Sequence, residues 1–365
     1  LLVALTLLSS LAYAQNCPTR AVWPDATTGE WPTLVPVTGK DTQVAALEKY
    51  AFTLTGKDAD REGLRTEGVI IIKSGTPIYE KYAHGYGRDN PHISWSVAKS
   101  YSSALIGVAV KEGLVDLNAS ICNYLPEYKG KNVCAIRVID TITFAPAMRW
   151  QEGYEHASYQ TSSVISMLFG EGHRDQLAFI LGHDMIGTPG KHWMYSTGTA
   201  ELASAIAQRA LEPIHGRDAF WKLFFEPIKS GKAIFEYDAT GTPLGGSMVY
   251  ATARDFAKFG YLFLNDGCWE GQRILPEGWV ATSTTPSDPF INYADQSEDT
   301  PSGYMWWLNA ARPPPMTSIF VRTDGWVNSA DKPGSQSSSL RQVDFSTFLP
   351  SMVGCKTNFH WVVGP

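Results

Sequence analysis

The chain has 365 residues, 44% of them hydrophobic and 12% aromatic, enough apolar material for a large globular core. Its formal net charge of −6 has no basic block behind it, which argues against nucleic acid or an anionic membrane surface as a partner. No Cys-x-x-Cys and no His-Glu-x-x-His occurs, so no metal site and no cofactor is expected.

The chain opens with an apolar run, Leu1 to Leu11, followed by Ala12-Tyr13-Ala14 before Gln15. Small residues at alternate positions after an apolar core mark the end of a secretory signal peptide, here residues 1–14, and the run is too short to span a bilayer. A periplasmic or secreted protein without a membrane anchor is therefore expected, and disulfides are open to it. The five cysteines are Cys17, Cys122, Cys134, Cys268 and Cys355. Cys122 and Cys134 flank a turn-rich loop containing Pro126 and Gly130 and are the expected bridge; the odd count leaves one thiol unpaired.

Residues 15–40 read as an irregular lead-in. Asp41 can cap a helix through Val44, Leu47, Tyr50 and Ala51. Gly68 to Tyr82 reads as two strands around a turn at Lys73–Thr76. Beyond residue 113 the chain becomes mainly helical, around 160–170, 174–183, 199–212 and 217–229. Thr252 with Asp255 predicts a capping box opening a helix over Ala253–Asn265. Pro276–Ser283 predicts a further helix, and Gly303–Leu308 a return to strand. The pairs Trp306/Trp307 and Phe224/Phe225 are expected in the core. A helix, a hairpin and a buried helix in this order suggest an antiparallel sheet with helices packed on it.

The buried helix follows Ser94-Trp-Ser-Val-Ala-Lys-Ser100 and runs through small and apolar residues to Gly113, placed for a left-handed cap. Its first turn carries Ser96 and Lys99, three residues apart and so on one face. A lysine buried there has a depressed pKa and can take a proton, and a serine at a helix N-terminus sits where developing negative charge is stabilised. The bland alternative is an N-cap serine with a lysine snorkelling to solvent. A second Ser-x-x-Lys, Ser329 and Lys332, has no apolar helix behind it and reads as loop. Tyr195, in Tyr-Ser-Thr-Gly198 after a Pro-Gly turn, is the candidate second acid/base. His92 and His192 lie near these motifs, but no Gly-x-Ser-x-Gly elbow supports a Ser-His-Asp triad, and both read as turn or supporting residues.

Ser-Trp-Ser-Val-Ala-Lys-Ser resembles the nucleophile motif of the serine β-lactamase and penicillin-binding protein superfamily. Further matches follow in order: Gly113-Leu-Val-Asp-Leu117, Tyr124-Leu-Pro-Glu127, Met148-Arg-Trp-Gln-Glu-Gly-Tyr154, Pro189-Gly190 before Tyr195, and Gly245-Gly-Ser-Met-Val-Tyr-Ala-Thr-Ala-Arg-Asp-Phe-Ala-Lys-Phe-Gly260. The chain is most similar to class C β-lactamase-like esterases and 6-aminohexanoate-dimer hydrolases. The resemblance implies an α/β (α+β) fold, an antiparallel sheet flanked by helices with an all-helical domain inserted. The catalytic region is 41–308, its α/β part 41–95 and about 250–308, its helical part about 96–250. The active site lies at their junction. Ser96 is then the acylated nucleophile, Lys99 its proton partner and Tyr195 the second acid/base. Tyr154 matches a cleft position that can hydrogen-bond substrate. The implied function is an exported serine hydrolase of small-molecule esters or linear amides. The alternative is a β-lactamase or D,D-carboxypeptidase, weakened because Tyr195-Ser196-Thr197 lacks the asparagine of Tyr-x-Asn.

Residues 309–365 depart from the pattern. The superfamily places a third motif on a strand beside the nucleophile, giving the second oxyanion donor, and then alternating apolar strands. Here a Pro-rich and polar stretch follows instead, with Arg322-Thr-Asp-Gly-Trp326 and Lys356-Thr357-Asn358 as the only fragments resembling that motif. A shifted reading frame after Leu308 is the expectation. A genuine tail would leave the oxyanion hole incomplete, and a non-catalytic binding or sensor protein becomes the reading of another class.

Overall fold

The computed structural model describes residues 17–20, 22–53, 66–154, 160–295, 300–308 and 359–364. The segment 1–14, Ser329/Lys332, the two motif-like fragments of the tail and Cys355 lie outside the described residues.

β1 (Gly68–Lys73) and β2 (Thr76–Tyr82) form the expected antiparallel hairpin. Ser74 (φ 49°) and Gly75 (φ 82°) both turn through the left-handed region, the geometry that matches a two-residue hairpin to strand twist. A Cβ on Gly75 would stand 2.4 Å from the carbonyl oxygen of Val22, so the lead-in can cross the turn only because Gly75 has none. β3 (His92–Ile93) leads into α2 (Val97–Lys111). Val97 through Ala109 are all buried, and Gly113 (φ 71°) ends the segment in the left-handed region, as predicted.

The inserted helices are α3 (Val138–Ile142), α4 (Ser163–Phe169), α5 (Gln176–Leu181) and α6 (Thr197–His215). α2 packs mainly on α6. β4 (Ile234–Phe235) and β5 (Val249–Ala251) join β3 in an antiparallel sheet ordered β3-β5-β4. α7 (Ala253–Leu264) is capped by Thr252, whose Oγ1 accepts from the Asp255 amide at 3.1 Å. The return contact is side chain to side chain, Thr252 Oγ1 donating to Asp255 Oδ2 at 3.0 Å. A small hairpin of β6 (Cys268–Trp269) and β7 (Gln272–Arg273) follows, then α8 (Trp279–Ser283) and α9 (Asp288–Tyr293). Tyr101 of α2 stacks on Phe259 of α7, ring centroids 3.9 Å apart, and on Phe225, tying the two helices into one aromatic core.

Several expectations are corrected. Asp41 is the first residue of α1 (Asp41–Phe52), not its cap; there its charge meets the positive end of the helix. The helix expected over 217–229 is only a π-helical turn, Trp221–Phe225. α8 starts at Trp279 rather than Pro276, because Gly278 (φ 76°) interrupts the chain. Gly303–Leu308 is no strand: Met305 (φ 59°) breaks the extended run, leaving a single bridge between Ser302 and Trp307. Trp306, Phe224 and Phe225 are buried as expected, while Trp307 is only half-buried.

The polar character of the tail predicts no apolar strand beside the hairpin. β8 (Phe359–Gly364) instead pairs with β1, in parallel, giving the order β2-β1-β8. The run Phe-His-Trp-Val-Val has the β-branched and aromatic character that strands favour, and it covers an edge β1 would leave open.

Cys122 and Cys134 are bridged as expected. A second bridge, Cys17–Cys268, ties the lead-in to β6 across 251 residues of sequence. Closing so long a loop restricts the unfolded chain strongly. Replacing both cysteines by serine is expected to lower stability by about 2–5 kcal/mol, read from urea unfolding under non-reducing conditions. An unchanged unfolding midpoint would mean that the lead-in contributes nothing through this tether.

Candidate active site

The nucleophile candidate is delivered by a short, firmly held approach. The Ser94 amide donates to the Val249 carbonyl of β5 at 2.6 Å, and Ser94 Oγ donates to the Ser247 carbonyl at 3.3 Å. Trp95 then takes φ 43°, a left-handed conformation uncommon for a bulky residue, and swings the chain into α2. Ser96 stands at the N-cap position, but its side chain makes no capping hydrogen bond. The hydroxyl is therefore available for chemistry, against the bland alternative of a simple cap.

Lys99, one turn on, is 2% exposed and does not snorkel. Its Nζ donates to Ser96 Oγ at 3.2 Å and to the Gly246 carbonyl at 2.8 Å. Burial pushes its pKa down to about 8, against the opposing pull of the Glu152 and Glu201 carboxylates. Such a lysine is neutral in part near physiological pH and can take the serine proton.

Tyr195 arrives from α6. Ser196 caps that helix, its Oγ accepting from the Thr199 amide at 3.0 Å, and this fixes the tyrosine just ahead of the first turn. The Tyr195 hydroxyl donates to Ser96 Oγ at 2.7 Å. Its ring lies 5.0 Å from Lys99 Nζ, packs on Phe144 and stacks on Trp307 at 5.4 Å. Ser96, Lys99 and Tyr195 thus meet at one oxygen. The Ser96 amide, at the N-terminus of α2, has no backbone carbonyl partner among the described residues and stands where an oxyanion donor is needed.

The fourth predicted residue, Tyr154, is bound into a cluster that sequence reasoning did not single out. Its hydroxyl donates to Glu152, which also accepts from Trp150 Nε1, the Thr197 hydroxyl and, at 3.0 Å, the Thr197 amide. Burial, then the charge of Glu152, holds the Tyr154 pKa far above the usual tyrosine range, so it stays a neutral donor. Glu152 lies within the stretch Met148–Tyr154, yet only its three partners reveal its role. Gly198 beside it has no room for a side chain: a Cβ would lie 2.5 Å from the Trp150 ring.

His92 pairs with Glu67, Nε2 to Oε2 at 2.5 Å, and its Nδ1 lies 2.7 Å from the Ile93 carbonyl, so its ring is engaged away from Ser96. No hydrogen bond joins His192 to Ser96 among the described residues. Among the described residues no cluster of three or more His, Cys, Asp or Glu could hold a metal ion.

A protein-family model described as Beta-lactamase matches residues 54–330, running past Leu308 and through Arg322–Trp326. A 6-aminohexanoate-dimer hydrolase of Paenarthrobacter ureafaciens is 22% identical over 242 residues, covering 65% of this chain and 62% of that protein. This chain therefore spans less than two thirds of that relative's length. A candidate 6-aminohexanoate-dimer hydrolase from Bacillus anthracis superposes with a TM-score of 0.56 at 22% identity, covering 67% of this chain and 65% of the other. A candidate β-lactamase from Bacteroides dorei gives 0.52 at 18% identity, with 72% and 73% covered. At these identities the solved structures establish the fold, which is the mixed α/β fold expected.

Proposed function

We propose, given that this chain belongs to the beta-lactamase family, that it hydrolyses small-molecule esters or linear amides through an acyl-enzyme on Ser96. The observation that carries this reading is the meeting of Lys99 Nζ and the Tyr195 hydroxyl at Ser96 Oγ. Neutral Lys99 takes the Ser96 proton as Oγ attacks the substrate carbonyl, and the Ser96 amide stabilises the oxyanion. When the carbonyl–oxygen or carbonyl–nitrogen bond breaks, Tyr195 supplies a proton to the leaving alkoxide or amine and recovers one from Lys99. Water, deprotonated by the same groups, then cleaves the Ser96 ester and releases the carboxylic acid.

A fluorophosphonate probe followed by peptide mapping tests the reading. Labelling at Ser96, lost in Ser96→Ala and accompanied by turnover of p-nitrophenyl esters, is the expected result. Labelling unchanged by Ser96→Ala would sink it. Labelling without turnover would instead indicate the binding or sensor protein. Thr197 takes the place of the amide side chain in Tyr-x-Asn, and both its amide and its hydroxyl are engaged by Glu152. This disfavours β-lactam recognition, and nitrocefin turnover matching that of simple esters would reverse the preference.

Export to the periplasm or medium belongs to the same proposal. The two disulfides support it, since bridges persist in oxidising compartments. Recovery of the full-length gene product in the cytoplasm, with both bridges reduced, would contradict it.

A further inference from the structure

We propose that Glu201 is a positioning residue that governs the protonation of Lys99 from behind the Gly245–Gly246 turn. Glu201 lies on α6 with 0% of its surface exposed, where an ionisable side chain without purpose would be replaced by an apolar one. Neither carboxyl oxygen meets a hydrogen-bond donor at full geometry among the described residues. The carboxyl faces the Gly245 and Gly246 amides, and a Cβ on Gly246 would stand 3.1 Å from its Oε1. The carbonyl of that same Gly246 accepts the Lys99 ammonium at 2.8 Å. A single glycine thus separates the buried acid from the buried base.

Burial drives the two groups toward one another, pushing Glu201 up to about 8 and Lys99 down to about 8. Groups that interact and lose protons in one range titrate as a pair. Other charges face them. Glu152 exerts the larger pull on Lys99, from the cleft side, and accepts hydrogen bonds from Trp150, Tyr154 and Thr197. Tyr195, Ser96 and the Gly246 carbonyl also contact Lys99. Asp238 acts on Glu201 and is engaged by the Gln176, Thr240 and Thr242 amides. Glu201, the second carboxylate acting on Lys99, has no side-chain hydrogen-bond partner among the described residues. Ionised, it stabilises the ammonium that Lys99 becomes on taking the Ser96 proton. Without it, desolvation acts against that ammonium with less opposition, and Lys99 turns into a weaker base.

The inference rests on the reading of Ser96 and Lys99 as nucleophile and base. Its test is the pH profile of Ser96 labelling and of kcat/KM for a p-nitrophenyl ester, in wild type, Glu201→Gln and Glu201→Asp, with folding checked by circular dichroism. In wild type the rate should rise with pH to a limb at about 8, the range in which the Glu201–Lys99 pair loses its proton, because only the neutral amine accepts one from Ser96. Removing the negative charge removes support for the ammonium, so the limb in Glu201→Gln should move down by about one pH unit. The plateau above it should fall by roughly tenfold, as the weaker base gives up driving force. Glu201→Asp, which keeps the charge one methylene further away, should show a smaller downward shift. A limb that stays at the wild-type pH in whichever variant folds overturns the assignment, however much rate is lost. A wild-type chain unlabelled at Ser96 overturns the functional reading as well, so the two failures are distinct.

Discussion

Lys99→Ala is expected to lower kcat/KM for a p-nitrophenyl ester by roughly 10³- to 10⁴-fold, with the chain still folded. Lys99 is the only basic side chain in contact with Ser96 among the described residues. Lys99→Arg separates two explanations. Arginine keeps a positive charge near Ser96 but does not give up its proton at any working pH. It should therefore be as inactive as alanine. If the arginine variant kept more than about a tenth of wild-type activity, the role of the lysine would be electrostatic and the assignment as base would fall. Stability measured alongside separates chemistry from folding, since removing Lys99 takes away a positive charge that acts on the buried Glu201.

Gly245→Ala is expected to destabilise the chain by wedging a methyl group between two packed helices. A Cβ at that position would stand 2.1 Å from Ser102 Oγ, 2.5 Å from Ser204 Cβ and 2.7 Å from Ser204 Oγ. Ser102 belongs to α2 and Ser204 to α6, so the methyl group would wedge the two helices that present Ser96 and Tyr195. Ser102 could turn its hydroxyl away, losing its bond to the Gly245 carbonyl, but Ser204 Cβ moves only with its helix. Overpacking of this kind costs about 1–3 kcal/mol, and more where backbone must shift. Urea unfolding measures the stability, and the labelling rate of Ser96 should drop with it, because Gly246 next door holds Lys99. A variant as stable as wild type would mean that the Gly245–Gly246 turn slides freely and is not wedged between α2 and α6.

Sequence alone determined what depends on neighbours along the chain. Helical spacing put Ser96 and Lys99 on one face, Gly113 stopped that helix, Ser74-Gly75 made the hairpin turn, and a spacing of 12 residues brought Cys122 to Cys134. Each of these is set by local backbone geometry, which residue type reports directly. Tertiary structure alone decided the rest. Trp307, read as core, became the stacking partner of Tyr195 because the strand expected at 303–308 is broken at Met305. Cys17 found Cys268, and β8 found β1, across separations that carry no local signal. Glu152 and Glu201 looked like ordinary acids in the sequence. Only the crossing of α2 with α6, under a turn of two glycines, put one at the cleft and the other behind Lys99. There the low dielectric of the interior turns a common side chain into one that acts on its neighbour's proton.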